Sequence, residues 1–223
     1  MEITRYERHG VLFDSCAAME EAGFPNGFST RVGGVSPAPW DSLNLGAGRG
    51  DEPERVSENF RRFCRAVGTD AHALVKNHQV HGTDIRSVTR ADVLSDPALP
   101  GEFPADGLVT DQPGVCLTIF SGDCIPILLY DPQRRCIAAA HAGPLARGLD
   151  DVAQRPHLGA AAFVGLADGV VALQAGDDSR GHVAHPHGLK ARVGAGQRHD
   201  REHLLQPGEQ VQKAVLRAEH DAG

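Results

Sequence analysis

Apolar residues recur at helical spacing in residues 51–67. They lie three and four positions apart, at Val56, Phe60, Phe63, Cys64 and Val67, which places them on one face of an amphipathic helix. Asp51 stands three residues before Glu54, as in a capping box, and Gly68 follows the last apolar position. The pattern predicts one helix with a structural role.

Short apolar runs rich in β-forming residues predict strands in the next part of the chain. Residues 115–120 and 125–130 are two such runs, separated by the polar turn Ser-Gly-Asp-Cys. A third run, residues 136–140, ends at His141, and residues 74–88 predict two short strands that meet at Gly82, beside His81. Residues 23–34 predict a strand that leads into a Gly-Gly turn and a Pro-rich loop. That loop suits either ligand contact or simple connection.

Composition is that of an ordinary globular protein. Of the 223 residues, 41% are hydrophobic and 23% are charged, so one domain is expected. The formal net charge of −7 provides no basic field for nucleic acid or an anionic membrane. Charged residues interrupt the N-terminal segment, and no later apolar run approaches the roughly 20 residues of a membrane span. We therefore expect a cytoplasmic protein with a small-molecule partner; the sequence does not indicate its oligomeric state.

Histidine and cysteine at predicted strand ends form the most specific chemical pattern. The five cysteines are odd in number and lack C-x-x-C spacing, which argues against a disulfide framework or a zinc ribbon. Only Cys124 lies in a polar turn, where a bound dication would stabilise its thiolate beside Asp123. With His81 and His141 it supplies three ligands, the number that catalytic zinc usually takes from a protein. A buried cysteine with two hydrogen-bonded histidines is the structural alternative.

Several motifs in a fixed order carry a resemblance to a known family. They are GFSTRVGGVS, SLNLG, NHQVHGTDI, ADGLVTDQPGVCLTIFSGDCIPILLYDP and AAAHAG. Over residues 20–143 the chain resembles the bacterial multicopper polyphenol oxidase or laccase-domain family, to which a role in peptidoglycan editing has also been attached. The resemblance implies that His81, Cys124 and His141 bind zinc. It also implies an α/β fold of layered mixed β-sheets flanked by helices, similar to cysteine hydrolases.

The resemblance further implies a purine nucleoside enzyme, which carries out phosphorolysis of adenosine, inosine and methylthioadenosine and deamination of adenosine. For deamination, a zinc-activated water would attack the adenine ring and Asp123 would carry the proton, unless Asp123 only caps its turn. For phosphorolysis, Arg31 would hold phosphate in a bidentate contact, unless it is a surface arginine. Asn44 and Gln79 lie in matched motifs and would hydrogen-bond either base and ribose or the local backbone.

Two other interpretations remain open, and a third is disfavoured by the number of ligands. Cys124 could be a nucleophile activated by His141, which would make the protein a cysteine hydrolase or amidase acting on peptidoglycan precursors. A copper phenol oxidase would need several copper sites, for which three neighbouring ligands are too few. The chain could also be an inactive, truncated family member that keeps its metal ligands.

Residues 144–223 depart from the family pattern. Where family members continue into Trp-Arg-Gly, this chain reads Pro-Leu-Ala-Arg, and the segment contains no Ile, Thr, Asn, Tyr, Trp, Met or Cys. The codons GGC TGG CGC GGN, for Gly-Trp-Arg-Gly, contain CTG GCG CGG in a shifted frame, which encodes Leu145, Ala146 and Arg147. We therefore expect a core at residues 1–143, a frameshift near Gly143 and a poorly ordered tail at residues 144–223. Such a tail would leave the fold incomplete and impair activity.

Overall fold

Two β-sheets pack face to face, and a helix covers the outer face of the first. The computed structural model describes residues 3–122 and 124–142, together with the backbone of two further strands. The strands in chain order are β1 (Ile3–Arg8), β2 (Val11–Cys16), β3 (Asn26–Ser29), β4 (Leu74–Lys76), β5 (Ile85–Ser87), β6 (Gly107–Thr110), β7 (Cys116–Ser121), β8 (Ile125–Asp131), β9 (Cys136–Ala142), β10 (Gly159–Ala162) and β11 (Gly169–Gln174). The α-helices are α1 (Ala17–Glu21) and α2 (Pro53–Val67), and short 3-10 helices lie at Ala71–Ala73 and Arg90–Asp92.

Both sheets mix parallel and antiparallel pairs. The first has the order β1-β2-β3-β11-β7-β4, in which β4 and β7 run parallel and the other pairs antiparallel. The second has the order β10-β8-β9-β6-β5, in which β5 and β6 run parallel. The expected α/β fold of layered mixed sheets is confirmed.

The main core lies between the two sheets. Val75, Leu117 and Ile119 from the first sheet pack there with Ile137 and Ala139 from β9 of the second. The intervening residues of β9, such as Ala138, belong to a separate cluster on the opposite face. Because side chains alternate along a strand, His141 continues the inward set and projects into the space between the sheets.

Helix α2 buries the predicted apolar face against the outer side of the first sheet. Phe60 and Phe63 are fully buried there beside Phe13 of β2, and each such side chain contributes about 1.5–3 kcal/mol by leaving water. The helix ends as predicted, at Gly68 in the left-handed conformation with φ +87°. The expected capping box is not formed, since Glu52 is the N-cap residue and makes no side-chain capping bond.

One strand prediction differs from the structure, and one hairpin in the structure has no counterpart among the predictions. The strands predicted to meet at Gly82 are β4 and β5, which belong to different sheets and are joined by a loop over residues 77–84. The N-terminal hairpin of β1 and β2 was not predicted, because charged residues alternate with apolar ones along the half-exposed β1. Pairing with β2, rather than strong hydrophobicity, keeps β1 in the sheet.

Two strands beyond residue 143 add to the sheets. β10 pairs with β8 at the edge of the second sheet, and β11 lies between β3 and β7 in the first. The remainder of residues 144–223 lies outside the described residues, so the division into a core and a poorly ordered tail stays a prediction. Within the part of the chain that is described, no helix has the length and apolar character needed to span a bilayer.

Candidate metal centre

Three strands of the first sheet have their carboxyl ends at the same end of the sheet. β4 and β7 run parallel, and β3 and β7 each pair antiparallel with β11, so all three point in one direction. From their carboxyl ends the chain continues to Arg31 after β3, to His81 after β4 and to Cys124 after β7. Residues that are far apart in sequence thus follow strand ends at one end of the sheet, where side chains can project into a cleft.

The hairpin of β8 and β9 brings Cys124 close to His141. Pro126 of β8 pairs directly with His141 of β9. Cys124 precedes Pro126 by two residues, so it extends the same face of the hairpin. Since β7 belongs to the first sheet and β8 to the second, the turn that carries Cys124 crosses from one sheet to the other.

The structure brings the three predicted ligands together at this junction. One ligand atom from each of His81, Cys124 and His141 lies within 4.8 Å of the others. Sγ of Cys124 is 3.6 Å from Nε2 of His81, and the two imidazole rings meet edge to face with centroids 4.8 Å apart. His141 is buried, Cys124 is half-buried and His81 is exposed. The cluster therefore opens to solvent on the His81 side.

The donor set and its spacing fit a zinc ion. In a tetrahedral site with Zn–S of about 2.3 Å and Zn–N of about 2.05 Å, sulfur and nitrogen ligands lie about 3.6 Å apart. The separation of Cys124 and His81 is 3.6 Å, and atoms at the 4.8 Å limit would approach by roughly 1 Å on binding. Thiolate and imidazole donors suit zinc better than calcium or magnesium. Three ligands leave a fourth position open.

A buried carboxylate, that of Asp106, links the loop of His81 to His141. Its Oδ1 accepts from the backbone N–H of His81 at 2.9 Å and lies 2.8 Å from Nδ1 of His141. Its Oδ2 accepts from the backbone N–H groups of Val80 at 3.1 Å and Gly82 at 2.7 Å. The position follows from the register of the second sheet, in which Gly107 pairs with Ala140 and so sets Asp106 opposite His141.

These contacts determine the charge of Asp106. Burial raises the pKa of the Asp106 carboxyl, but hydrogen bonds from Gly82, His141, Val80 and His81 outweigh burial, so the pKa lies below its ordinary value. Asp106 is therefore ionised at neutral pH. The sequence does not single out Asp106, because an Asp-Gly pair is typical of an exposed turn. The signal that could have found it is its place in the matched motif ADGLVTD.

Gln79 lies in the same loop, where its side chain makes a backbone-like pair with Phe120. Nε2 of Gln79 donates to the carbonyl of Phe120, and Oε1 accepts from the Phe120 N–H, both at 2.7 Å. Phe120 is near the end of β7, just before the turn of Cys124. The side chain therefore ties the loop of His81 to the strand that leads to Cys124, through a partner far along the chain rather than the local backbone. The substrate-binding role of Gln79 stays a prediction.

Asn44 and Arg31 lie in the loop that follows β3. Nδ2 of Asn44 donates to the Asp51 carboxylate at 2.9 Å, and its Oδ1 accepts from the N–H of Gly46 at 3.0 Å. Arg31 is exposed, and its guanidinium donates to the carbonyls of Asp41 and Pro39 at 3.2 and 3.4 Å. Asn44 thus organises its own loop, whereas Arg31 keeps N–H groups that none of these contacts uses. Both predicted roles stay predictions.

The turn between β7 and β8 is only partly described. Asp123, the predicted proton carrier, lies outside the described residues. The residues that flank this position are hydrogen-bonded to each other: Oγ of Ser121 donates to the carbonyl of Cys124 and closes the turn. Cys116 of β7 and Cys136 of β9, in contrast to Cys124, are fully buried, and burial raises the pKa of the Cys136 thiol to about 11.

The fold and the site define an α/β protein of two packed mixed sheets, with a candidate metal centre of two histidines and one cysteine at their junction. The chain belongs to the family described as multi-copper polyphenol oxidoreductase laccase, whose family model matches residues 25–153. The resemblance seen in the sequence is thereby confirmed. The match continues past residue 143, where the sequence motifs had indicated its end.

Named relatives cover part of the chain. A protein of Deinococcus radiodurans named purine nucleoside phosphorylase is 44% identical over 119 residues, which are 53% of this chain and 43% of that protein. Purine nucleoside phosphorylase ORF3 of Streptomyces griseus is 36% identical over 169 residues, which are 75% of this chain and 58% of that protein. The chain therefore spans about half the length of these relatives.

Solved structures support the same fold. The crystal structure of YlmD from Geobacillus stearothermophilus matches with a TM-score of 0.60 and 33% identity, over 74% of this chain and 64% of that one. The crystal structure of the Bacillus licheniformis hypothetical protein YfiH matches with a TM-score of 0.58 and 30% identity, over 70% and 62%. The similarity covers a larger part of the chain than residues 20–143 alone.

Proposed function

We propose that the chain is a zinc-dependent purine nucleoside enzyme. Its reactions would be phosphorolysis of adenosine, inosine and methylthioadenosine, with deamination of adenosine as a second activity. The observation that carries this proposal is the convergence of His81, Cys124 and His141 within 4.8 Å, in a family whose named relatives are purine nucleoside phosphorylases. The partners would be the nucleoside and phosphate.

His81, Cys124 and His141 would hold the ion. When bound, zinc would supply a Lewis acid at the open side of the cluster. The chain itself provides the direction of approach, because His141 is buried between the sheets whereas His81 faces solvent. A nucleoside would therefore enter from the His81 side, along the end of the sheet where the carboxyl ends of β3, β4 and β7 lie.

Arg31 would hold the phosphate. Its guanidinium has five N–H donors, of which two are used by the carbonyls of Asp41 and Pro39. Three N–H groups remain for a bidentate contact with phosphate oxygens. Because only β11 separates β3 from β7, the ends of these strands lie about 10 Å apart. That span is compatible with phosphate beside the anomeric carbon of the ribose and the far end of the purine base at the metal centre.

The remaining site residues have supporting roles in this proposal. Asp123 precedes Cys124 in sequence and would carry the proton in deamination. Asn44 would help to position the base or ribose through its loop, and Gln79 through the loop of His81. We also propose a cytoplasmic location, since none of the five cysteines, all within the described residues, forms a disulfide, and four of them are buried.

The test combines metal analysis with product analysis. Purified protein is assayed for bound zinc and then incubated with adenosine and phosphate, and chromatography separates adenine, inosine and hypoxanthine. We expect about one zinc per chain and a loss of both zinc and products in Cys124→Ser. The matched control is Cys64→Ser, a buried cysteine of α2. Products that persist in Cys124→Ser, or their absence from zinc-loaded protein, would count against the proposal.

A thiol nucleophile is the second candidate. Sγ of Cys124 lies 3.6 Å from Nε2 of His81, a contact that suits a thiolate–imidazole pair as well as a pair of metal ligands. His141, the base suggested by the sequence, also places a ring nitrogen within 4.8 Å of the thiol. If purified protein contains no zinc, and iodoacetamide alkylates Cys124 rapidly and selectively, an amidase becomes the better interpretation.

A further inference from the structure

We propose that Asp106 is the positioning residue of the metal centre. Its carboxylate determines which nitrogen of His141 faces the ion, and it holds the loop of His81 in the conformation that aims His81 at the same point. This inference rests on the proposed zinc site. It assigns a role to a residue that does not itself supply a ligand atom.

The first argument concerns the ring of His141. Both carboxylate oxygens of Asp106 already accept backbone N–H groups, so toward Nδ1 of His141, at 2.8 Å, the carboxylate is an acceptor as well. Nδ1 must then carry the hydrogen, and Nε2 presents its lone pair to His81 and Cys124. The side chains of Asp106 and His141 are 1% and 4% exposed, so water cannot easily replace the hydrogen bond between them. Carboxylate–histidine–metal triads use the same geometry.

The second argument concerns the loop of His81. Three consecutive backbone N–H groups, those of Val80, His81 and Gly82, converge on the Asp106 carboxylate at 2.7–3.1 Å. His81 has φ +59°, in the left-handed region that residues with a Cβ rarely adopt. Successive N–H groups in such a bend form an anion-binding nest. The carboxylate therefore compensates for the unfavourable conformation, and the loop is formed before an ion arrives.

A purely structural carboxylate offers a comparison. Asp131 is also buried, and it accepts from the backbone N–H groups of Gln133 and Arg134 and from the Arg134 side chain. It lies at the opposite end of the β8–β9 hairpin from His141, paired with Cys136. Asp131 stabilises a turn without contacting the cluster. The two aspartates thus differ in what they touch rather than in burial.

The test compares Asp106→Asn with Asp131→Asn. Zinc affinity is measured by competition with a chromophoric chelator, and cobalt replaces zinc to report the thiolate-to-metal charge-transfer band. We expect Asp106→Asn to raise the zinc Kd about 10–100-fold and to shift the cobalt spectrum, and Asp131→Asn to leave both unchanged. Equal affinities in the two variants, or equal losses, would overturn the proposal.

A second measurement needs no variant. In the metal-free protein, nitrogen-15 NMR of the His141 ring reports which nitrogen carries the hydrogen. The hydrogen is expected on Nδ1, and a ring protonated only at Nε2 would overturn the proposal. This result is independent of the proposed function: if the protein binds no zinc, the metal centre fails, whereas the NMR result still tests whether Asp106 sets the tautomer.

Discussion

Replacing Gln79 by methionine should destabilise the protein. The substitution keeps the length of the side chain but removes both of its 2.7 Å hydrogen bonds to the backbone of Phe120. Each hydrogen bond makes a net contribution of about 1 kcal/mol to the free energy of unfolding. Leaving the partly buried N–H and carbonyl of Phe120 unpaired adds to the loss and brings it to about 3 kcal/mol. For a chain of this size, such a loss lowers Tm by about 6–12 °C.

Thermal unfolding followed by circular dichroism measures this loss, alongside KM for adenosine. The control is Gln112→Met, because the side chain of Gln112 accepts from the Arg90 N–H at 3.0 Å near the surface and should cost less than about 1 kcal/mol. If Gln79 instead serves to bind the nucleoside, Gln79→Met will raise KM and leave Tm unchanged. That result would refute a tie between the two loops of the site.

Three further predictions follow from other parts of the chain. Gly27→Ala places a Cβ 2.5 Å from Cγ2 of Val67, so denaturant unfolding should show a loss of about 1–3 kcal/mol from overpacking. Burial lowers the pKa of Lys76 from 10.5 to about 7. Between these two pH values the unfolded chain binds more protons than the folded chain, so the free energy of unfolding increases as the pH rises above about 7. Lys76→Met should abolish this rise in a urea series from pH 6 to 9. Sequencing the gene through codon 144 tests the frameshift, which an intact reading frame would refute.

Elements with a strong period could be predicted from the sequence. Helix α2 was recognisable because its buried residues recur every three and four positions and Gly68 marks its end. β7, β8 and β9 were recognisable because each is a short apolar run bounded by a turn. The turn between β7 and β8 also singled out Cys124 from the buried cysteines. The local sequence was sufficient to predict these elements, because the residues that are buried in the fold are the ones that the hydrophobic pattern marks.

The contacts that assemble the site could not be predicted in the same way. Asp106 and Gln79 owe their roles to partners far along the chain, His141 and Phe120, and to a register that no local pattern encodes. The backbone N–H of His81, which has a left-handed φ, likewise donates to the Asp106 carboxylate, a partner 25 residues away. Sequence motifs therefore indicated which residues could bind a metal, whereas only the fold shows what holds them in place.

The position of β11 bears on the predicted division at residue 143. Its backbone lies between β3 and β7 and pairs antiparallel with both. Without it, the facing edges of β3 and β7 would be about 10 Å apart in the middle of the sheet, with unpaired backbone groups on each. A fragment of residues 1–143 should therefore melt earlier and aggregate more than a fragment of residues 1–174, as circular dichroism and gel filtration would show. Equal melting temperatures would mean that the first sheet closes without β11, and the core would then end where the sequence predicted.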